Sequence, residues 1–327
     1  MPAPIDFSGW IPPEFSTQII QEAIQASAVL TLGNRVPMGT KITQMPVPKV
    51  FPKAAFTSGG GARKPFTDLK VGVETMTAEE LAAVVAIPDE YIEDSAINLW
   101  NFTRPLLAQA LALALDQAVL WGIDAPATYP PGGVAAAALE APEGSDVVET
   151  INQAMGQVET QGLAVTGHAA DLAVKASLRG VRDGSNALLL GPNQASGDAT
   201  GTLYGLPISW QSFIGDTFDF ITGAWQYLII GVRQDIRFDI NPAGVIADDS
   251  GAVIVSGWQD NTTPLKVWAR FAVALVKPVT PREPDGAVPF SVAELAPGGA
   301  GNGGDDDNGD EPAKKVAAPV KAAAKKV

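Results

Sequence analysis

One histidine, His168, stands in the segment LAVTGHAADLAVKASLRG, and the chain has no cysteine. Any Ser-His-Asp triad or histidine metal cluster would rest on that single imidazole, and its neighbours favour a helix start or a surface position instead. Disulfides, thiolate metal sites and cysteine nucleophiles are excluded. The run GGGARKP has the glycines and lysine of a phosphate loop without the Gly-x4-Gly-Lys-Ser/Thr spacing, and Pro65 follows Lys64. DDDNGD near the C-terminus offers carboxylates, but their spacing misses that of the calcium loop and no Glu closes it. Asp89 and Glu93 lie one helical turn apart, as a general acid and base could. Glu74, Glu79, Glu80, Glu90 and Asp94 crowd the same region, however, which describes a surface and not a tuned pair. Trp100, Trp121, Trp210, Trp225, Trp258 and Trp268 sit in apolar segments and are assigned to the core, not to nucleic-acid stacking. These patterns call for no enzyme activity, no cofactor and no metal.

The element that organises the chain is the stretch from Asp89 to Gly122, DEYIEDSAINLWNFTRPLLAQALALALDQAVLWG. Ile92, Ala96, Leu99, Leu106, Ala110, Leu113 and Leu120 recur at helical spacing, with Thr103 and Gln117 in the same register, and this stripe is expected to be buried. Pro88 and Asp89 mark a start and Gly122 a stop. Pro105 has no N–H for the carbonyl four residues back, which predicts a kink or restart between Asp94 and Pro105.

Ahead of this element, Pro12 and Pro13 precede an amphipathic helix carrying Phe15, Ile19, Ile20, Ala23, Ile24 and Ala28 and ending at Gly33. Residues 36–50 are extended, and Pro37, Pro46 and Pro48 confine any strand there to an edge. Residues 51–73 hold few large apolar side chains and read as a projecting hairpin. After the long helix come the loop IDAPATYPPGGV, a helix from Val147 to Thr160, then a short strand and a third helix ending near Gly180. β-Branched and aromatic runs follow at 207–210, 218–222, 227–231, 236–240, 253–255 and 265–276. The fold class is α+β. Beyond Ala296 almost no large apolar side chain remains, five acids balance five lysines, and disorder is expected.

The ordered body therefore carries essentially all of the formal charge of -14, which argues against a broad DNA-binding surface. No apolar run reaches spanning length, and the first residues lack the basic and apolar regions of a signal peptide. Charge is segregated along the chain. Lys41, Lys49, Lys53, Arg63, Lys64 and Lys70 face one acid, Asp68, while Glu74, Glu79, Glu80, Asp89, Glu90, Glu93 and Asp94 follow with no cation before Arg104. Two solvated faces would explain this, as would a basic arm lying across an acidic patch on a neighbouring copy.

The order of arm, extended segment, Gly-containing hairpin, long helix and α+β unit resembles the major capsid proteins of tailed double-stranded DNA bacteriophages, the Hong Kong 97 fold that encapsulin shells share. The resemblance is carried by VAIPDEYIEDSAINLW running into LAQALALALDQAVLWG, by PPGGV at 130–134, by GTLYGLPI at 201–208, and by ITGAWQYLIIGVRQDIRFDI and KVWARFAVALVKP. It implies an N-terminal arm at 1–35, an extended E-loop region at 36–85 and a peripheral domain with the spine helix at 86–145. An axial domain at 146–245, a return to the peripheral domain at 246–295 and a disordered tail at 296–327 complete it.

The implied function is structural: self-assembly into pentamers and hexamers of an icosahedral head shell enclosing phage DNA without sequence-specific binding. The alternative is an encapsulin-like shell around cargo. Arg63, Lys64, Lys70, Glu79, Glu80, Glu93 and Asp94 are the residues expected at inter-subunit contacts. Some family members join an E-loop lysine to a neighbour's asparagine; Lys53, Lys64, Lys70 and Asn261 are the right residue types, with no motif to fix the match. A separate scaffolding protein, a portal and a decoration protein are the implied partners, with assembly in the host cytoplasm and residence in the virion. The lysine-rich tail could meet packaged DNA, a decoration protein or nothing.

Overall fold

The computed structural model describes residues 27–56, 66, 70–90, 99–181, 200–211, 218–248 and 250–295. The expected helix across residues 15–26, the hairpin tip and the C-terminal tail lie outside them. The first described element is the helical turn α1 (Ala28–Leu32), closed by Gly33, with Ser27 as its N-cap accepting from Leu30 N–H.

Extended chain follows, as the prolines require. Strand β1 (Asn34–Pro37) joins a larger sheet, whereas β2 (Ile42–Pro48) and β3 (Val71–Thr77) pair only with each other as an antiparallel ribbon. Pro46 and Pro48 are tolerated because a two-stranded ribbon has no central strand. The next strand, β4 (Glu79–Pro88), went unrecognised in the sequence because EELAAVVAIP is as rich in Glu and Ala as a helix. Pairing with β13 (Thr262–Leu275) overrides that propensity across ten registered positions, Glu79 to Pro88.

The long helix α2 (Leu99–Asp116) passes through Pro105 without a break, so no restart falls between Leu99 and Pro105, and residues 91–98 lie outside the described part. It continues into a π-turn, Gln117–Trp121, ended by Gly122 at φ 69°. Of the expected stripe, Leu120 is buried, Leu106, Ala110 and Leu113 are exposed, and Ile92 and Ala96 lie outside the described residues. Leu107, Ala108, Leu111, Ala112, Leu115 and Asp116 face inward, while Leu106 and Leu113 are 54% and 41% exposed. Leu and Ala occupy both stripes, so the period was legible and the phase was not. Asp116 lies on the buried side, where a charged residue is not expected. The wider π-turn then buries the consecutive residues Ala118, Val119 and Leu120.

Helix α3 (Gly133–Ala137) packs back on the π-turn, and strand β5 (Leu139–Glu140) follows. Helix α4 (Val147–Thr160) has the expected bounds, capped by Asp146, and strand β6 (Gly167–Asp171) leads into α5 (Leu172–Gly180), capped by Asp171. Strands β7 (Thr200–Leu203), β8 (Leu206–Gln211), β9 (Phe220–Gly223) and β10 (Leu228–Ile240) come next. The two runs expected at 227–231 and 236–240 are one strand, bent by register shifts between Val232 and Arg237. A second ribbon, β11 (Val245–Ala247) with β12 (Val253–Ser256), the turn α6 (Gly257–Asp260), β13 and β14 (Phe290–Ala293) complete the described chain.

Two main sheets result, β1-β10-β13-β4 and β5-β14-β9-β6-β8-β7. The principal core joins them: Leu107, Leu111 and Leu115 of α2 meet Leu265, Val267 and Phe271 of β13, and Trp225, Ile221 and Phe290 on the six-stranded side. The mixed α+β class is as expected. Strand β13 shows how the ribbon is anchored. From Leu265 to Phe271 it alternates inward apolar and outward Lys266, Trp268 and Arg270, but from Phe271 to Ala274 every residue is buried. Met38, Met76 and Ala78 at the ribbon base cover the second face there, against Ala272 and Ala274.

Candidate assembly surfaces

The ribbon leaves apolar side chains in solvent, Ile42 at its Met-lined base and Val71 and Val73 beyond it. Ile42, Val71 and Val73 are more than half exposed, and Phe56 and Phe66, near the tip, are almost wholly so. Contiguous exposed apolar surface on a soluble chain marks a contact face. Of the ribbon cations, Lys49 bridges Glu74 across the two strands at 3.0 Å. Lys70 is exposed, and Arg63 and Lys64 lie outside the described residues, as do Glu93 and Asp94.

The two described acids of the expected contact set sit on β4 and are engaged within their own chain. Glu79 accepts a hydrogen bond from the Thr128 hydroxyl at 3.0 Å. Glu80 pairs with Lys266 at 2.9 Å and Arg270 at 3.7 Å, and the Lys266 ammonium holds its carboxyl below the usual range. All three positions share the outer face of the four-stranded sheet. The structure does not bring Lys70 together with Glu79 or Glu80.

Sequence reasoning missed the cluster around Trp268. Its ring is half-buried and outward-facing, not in the core, because period-two alternation aims Lys266, Trp268 and Arg270 to one side. Arg270, Lys266 and Arg237 approach the ring to 5.3, 5.4 and 5.8 Å, and its indole N–H donates to Asp239. The alternating K-x-W-x-R was the available signal. Trp258 is also outside the core: it is 83% exposed on α6, beside Val253 and Ile254 of the second ribbon. Trp210 and Trp225 are buried as expected. Asn261 ends α6 in the left-handed region, exposed, with its carbonyl accepting from Asp89 N–H.

His168 is neither at a helix start nor on the surface. It is fully buried in the middle of the six-stranded sheet, its Nδ1 2.9 Å from the Thr222 hydroxyl and its ring stacked on Phe220. Burial pushes its pKa down to about 4, so the ring is neutral at physiological pH. Among the described residues, no group of three His, Cys, Asp or Glu is arranged to hold a metal. Among the same residues, no helix is long and apolar enough to cross a membrane.

The sequence profile of the phage capsid family matches residues 8–279. The "Probable major capsid protein gp17" of Mycobacterium phage D29 is 26% identical over 281 residues, 81% of this chain and 86% of that protein. The protein of the same description from Mycobacterium phage L5 is 28% identical over 120 residues, 37% of this chain and 36% of that one. A solved chain from Mycobacterium phage Bobi superposes with a TM-score of 0.68 at 22% identity, covering 82% of this chain and 90% of that one. A chain described as "Capsid of native GTA particle computed with C5 symmetry" gives 0.59 at 14% identity, covering 83% and 90%. These likenesses establish the fold as Hong Kong 97-like. The profile match takes in most of the 327 residues, and the chain belongs to the phage capsid family.

Proposed function

We propose that this chain is the major capsid protein of a tailed double-stranded DNA phage, assembling as pentamers and hexamers into the icosahedral shell that encloses the genome. The observation that carries the reading is a ribbon anchored at its base by Met38, Met76 and Ala78, with Ile42, Val71 and Val73 more than half exposed. Such an arm gains stability by lying on another copy, and head-to-tail repetition about an axis closes rings. Rings of two sizes sharing one interface build a closed shell. A body of net charge -14 suits a wall around packed DNA, because tight phosphate binding would hinder packing and release. In this reading the chain is structural and not an enzyme.

The finer assignments belong to the same proposal. The ribbon is the E-loop, α2 the spine, and Arg63, Lys64, Lys70, Glu79, Glu80, Glu93 and Asp94 lie at subunit contacts. Scaffolding, portal and decoration proteins are separate chains, DNA is enclosed without sequence-specific contact, and assembly takes place in the host cytoplasm. Negative-stain electron microscopy of the chain alone and with a candidate scaffold tests the proposal. Closed shells, or free pentamers and hexamers, are expected. Small unassociated particles in both samples overturn it, and a co-purified enzyme inside the shells would transfer the reading to an encapsulin-like container.

A further inference from the structure

Asp116 is the one carboxylate among the described residues that is buried in the principal core, 4% exposed and at the junction between α2 and its π-turn. Three donors from the start of α1 converge on it. The Ser27 hydroxyl donates at 2.6 Å and Val29 N–H at 3.2 Å to Oδ1, and Ala28 N–H donates at 2.8 Å to Oδ2. These amides are among those that a first helical turn leaves unpaired, so the carboxylate ties the beginning of the described chain to the long helix across 87 to 89 residues of sequence.

No cation among the described side chains contributes to the site. Titratable side chains on the elements packed against α1, α2 and the π-turn are Arg104 on α2 itself, Glu79 and Glu80 on β4, Lys266 and Arg270 on β13, whose outward face they occupy, and His168 and Asp171 on β6; β8 and α3 carry none. Glu79 is bound to Thr128, Glu80 to Lys266 and Asp171 to Ala173 N–H, and His168 faces Thr222. A buried carboxylate without a counter-charge costs free energy, and taking up a proton removes that cost. Once α1 detaches, Asp116 is hydrated and the incentive disappears. The attached state therefore binds the proton more tightly than the detached state, and by linkage acid favours attachment.

We propose that the contact of Asp116 with Ser27, Ala28 and Val29 is a proton-operated latch, which holds α1 to the long helix in acid and loosens as pH rises toward neutrality. Burial outweighs the three hydrogen bonds and pushes the Asp116 pKa up to about 6, inside the range where such a latch would respond.

Hydrogen exchange of the full-length chain, read on the peptide spanning 27–33 and corrected for intrinsic rates, tests this. Opening should increase about ten-fold between pH 5 and pH 7.5, from the displaced titration of one carboxyl. Asp116→Asn should abolish that step. Because His168 titrates with the opposite sign, the step is read as the difference between wild type and variant. Ser27→Ala should raise exchange at both pH values and keep the step, which provides a second test should Asp116→Asn not fold. Equal opening of the wild type at both pH values, the same step in Asp116→Asn, or unchanged exchange in Ser27→Ala overturns the proposal.

Discussion

His168 shows what burial does to a single titratable side chain. Its folded pKa, about 4, lies below the ordinary value of 6.5 because the charged ring would lose its water in the middle of the sheet. The unfolded chain therefore binds the extra proton more readily. The stabilising contribution is complete above pH 6.5 and is lost as pH falls toward 4. Moving from pH 7 to pH 5 should cost about 2 kcal/mol through this residue. Asp116 acts in the opposite sense, its folded pKa of about 6 making its contribution complete below 3.8 and lost as pH rises through 6. The two effects oppose each other in the wild type, so the His168 part is measured as the difference in urea stability between wild type and His168→Leu at the two pH values. An equal loss in both chains would count against it.

At the scale of the element, the exit from the long helix is built from three glycines. Gly122, Gly132 and Gly133 all have φ near 70°, and a Cβ on Gly122 or Gly133 would lie 2.6 to 2.7 Å from backbone atoms of the facing segment. The WG and PPGGV motifs are thus two halves of one close backbone contact. Gly133→Ala should destabilise by about 3 kcal/mol or more, from left-handed strain plus the clash. Gly156→Ala on α4, where nothing lies within 4 Å, is the control and should stabilise by about 0.5–1 kcal/mol. Denaturant midpoints distinguish the pair. The phase of α2 is tested similarly: Leu111→Ala should cost about 2–5 kcal/mol and the exposed Leu113→Ala less than about 1 kcal/mol. A larger loss at Leu113 in the unassembled chain would restore the stripe read from sequence.

For the whole molecule, the proposed charge contact between copies is tested by reversal. Arg63→Glu with Lys64→Glu is expected to weaken assembly, more so at low salt, and reversal of Glu93 and Asp94 to lysine should partly restore it. Sedimentation or light scattering of assembling protein reads both effects, and unchanged assembly in the first double variant would leave the ribbon charges as solvated groups only. Glu80 is a poor choice for the same test, because Lys266 and Arg270 of its own chain already hold it and its loss would disturb the outer sheet face.

The α+β class, the bounds of α4, the β6-to-α5 succession, the ribbon with its prolines and the stop at Gly122 were all legible in the residues, because each follows from local spacing, capping or φ preference. Tertiary structure alone decided the rest. An Ala- and Leu-rich helix has no intrinsic inside, and its phase came from the apolar faces of β13 and the six-stranded sheet, which are distant in sequence. EELAAVVAIP became a strand because β13 offers a ladder along its whole length. His168 and Trp268 exchanged the places expected of them because the sheet face a residue occupies depends on strand pairing and on what covers that face, and neither is encoded within a single segment.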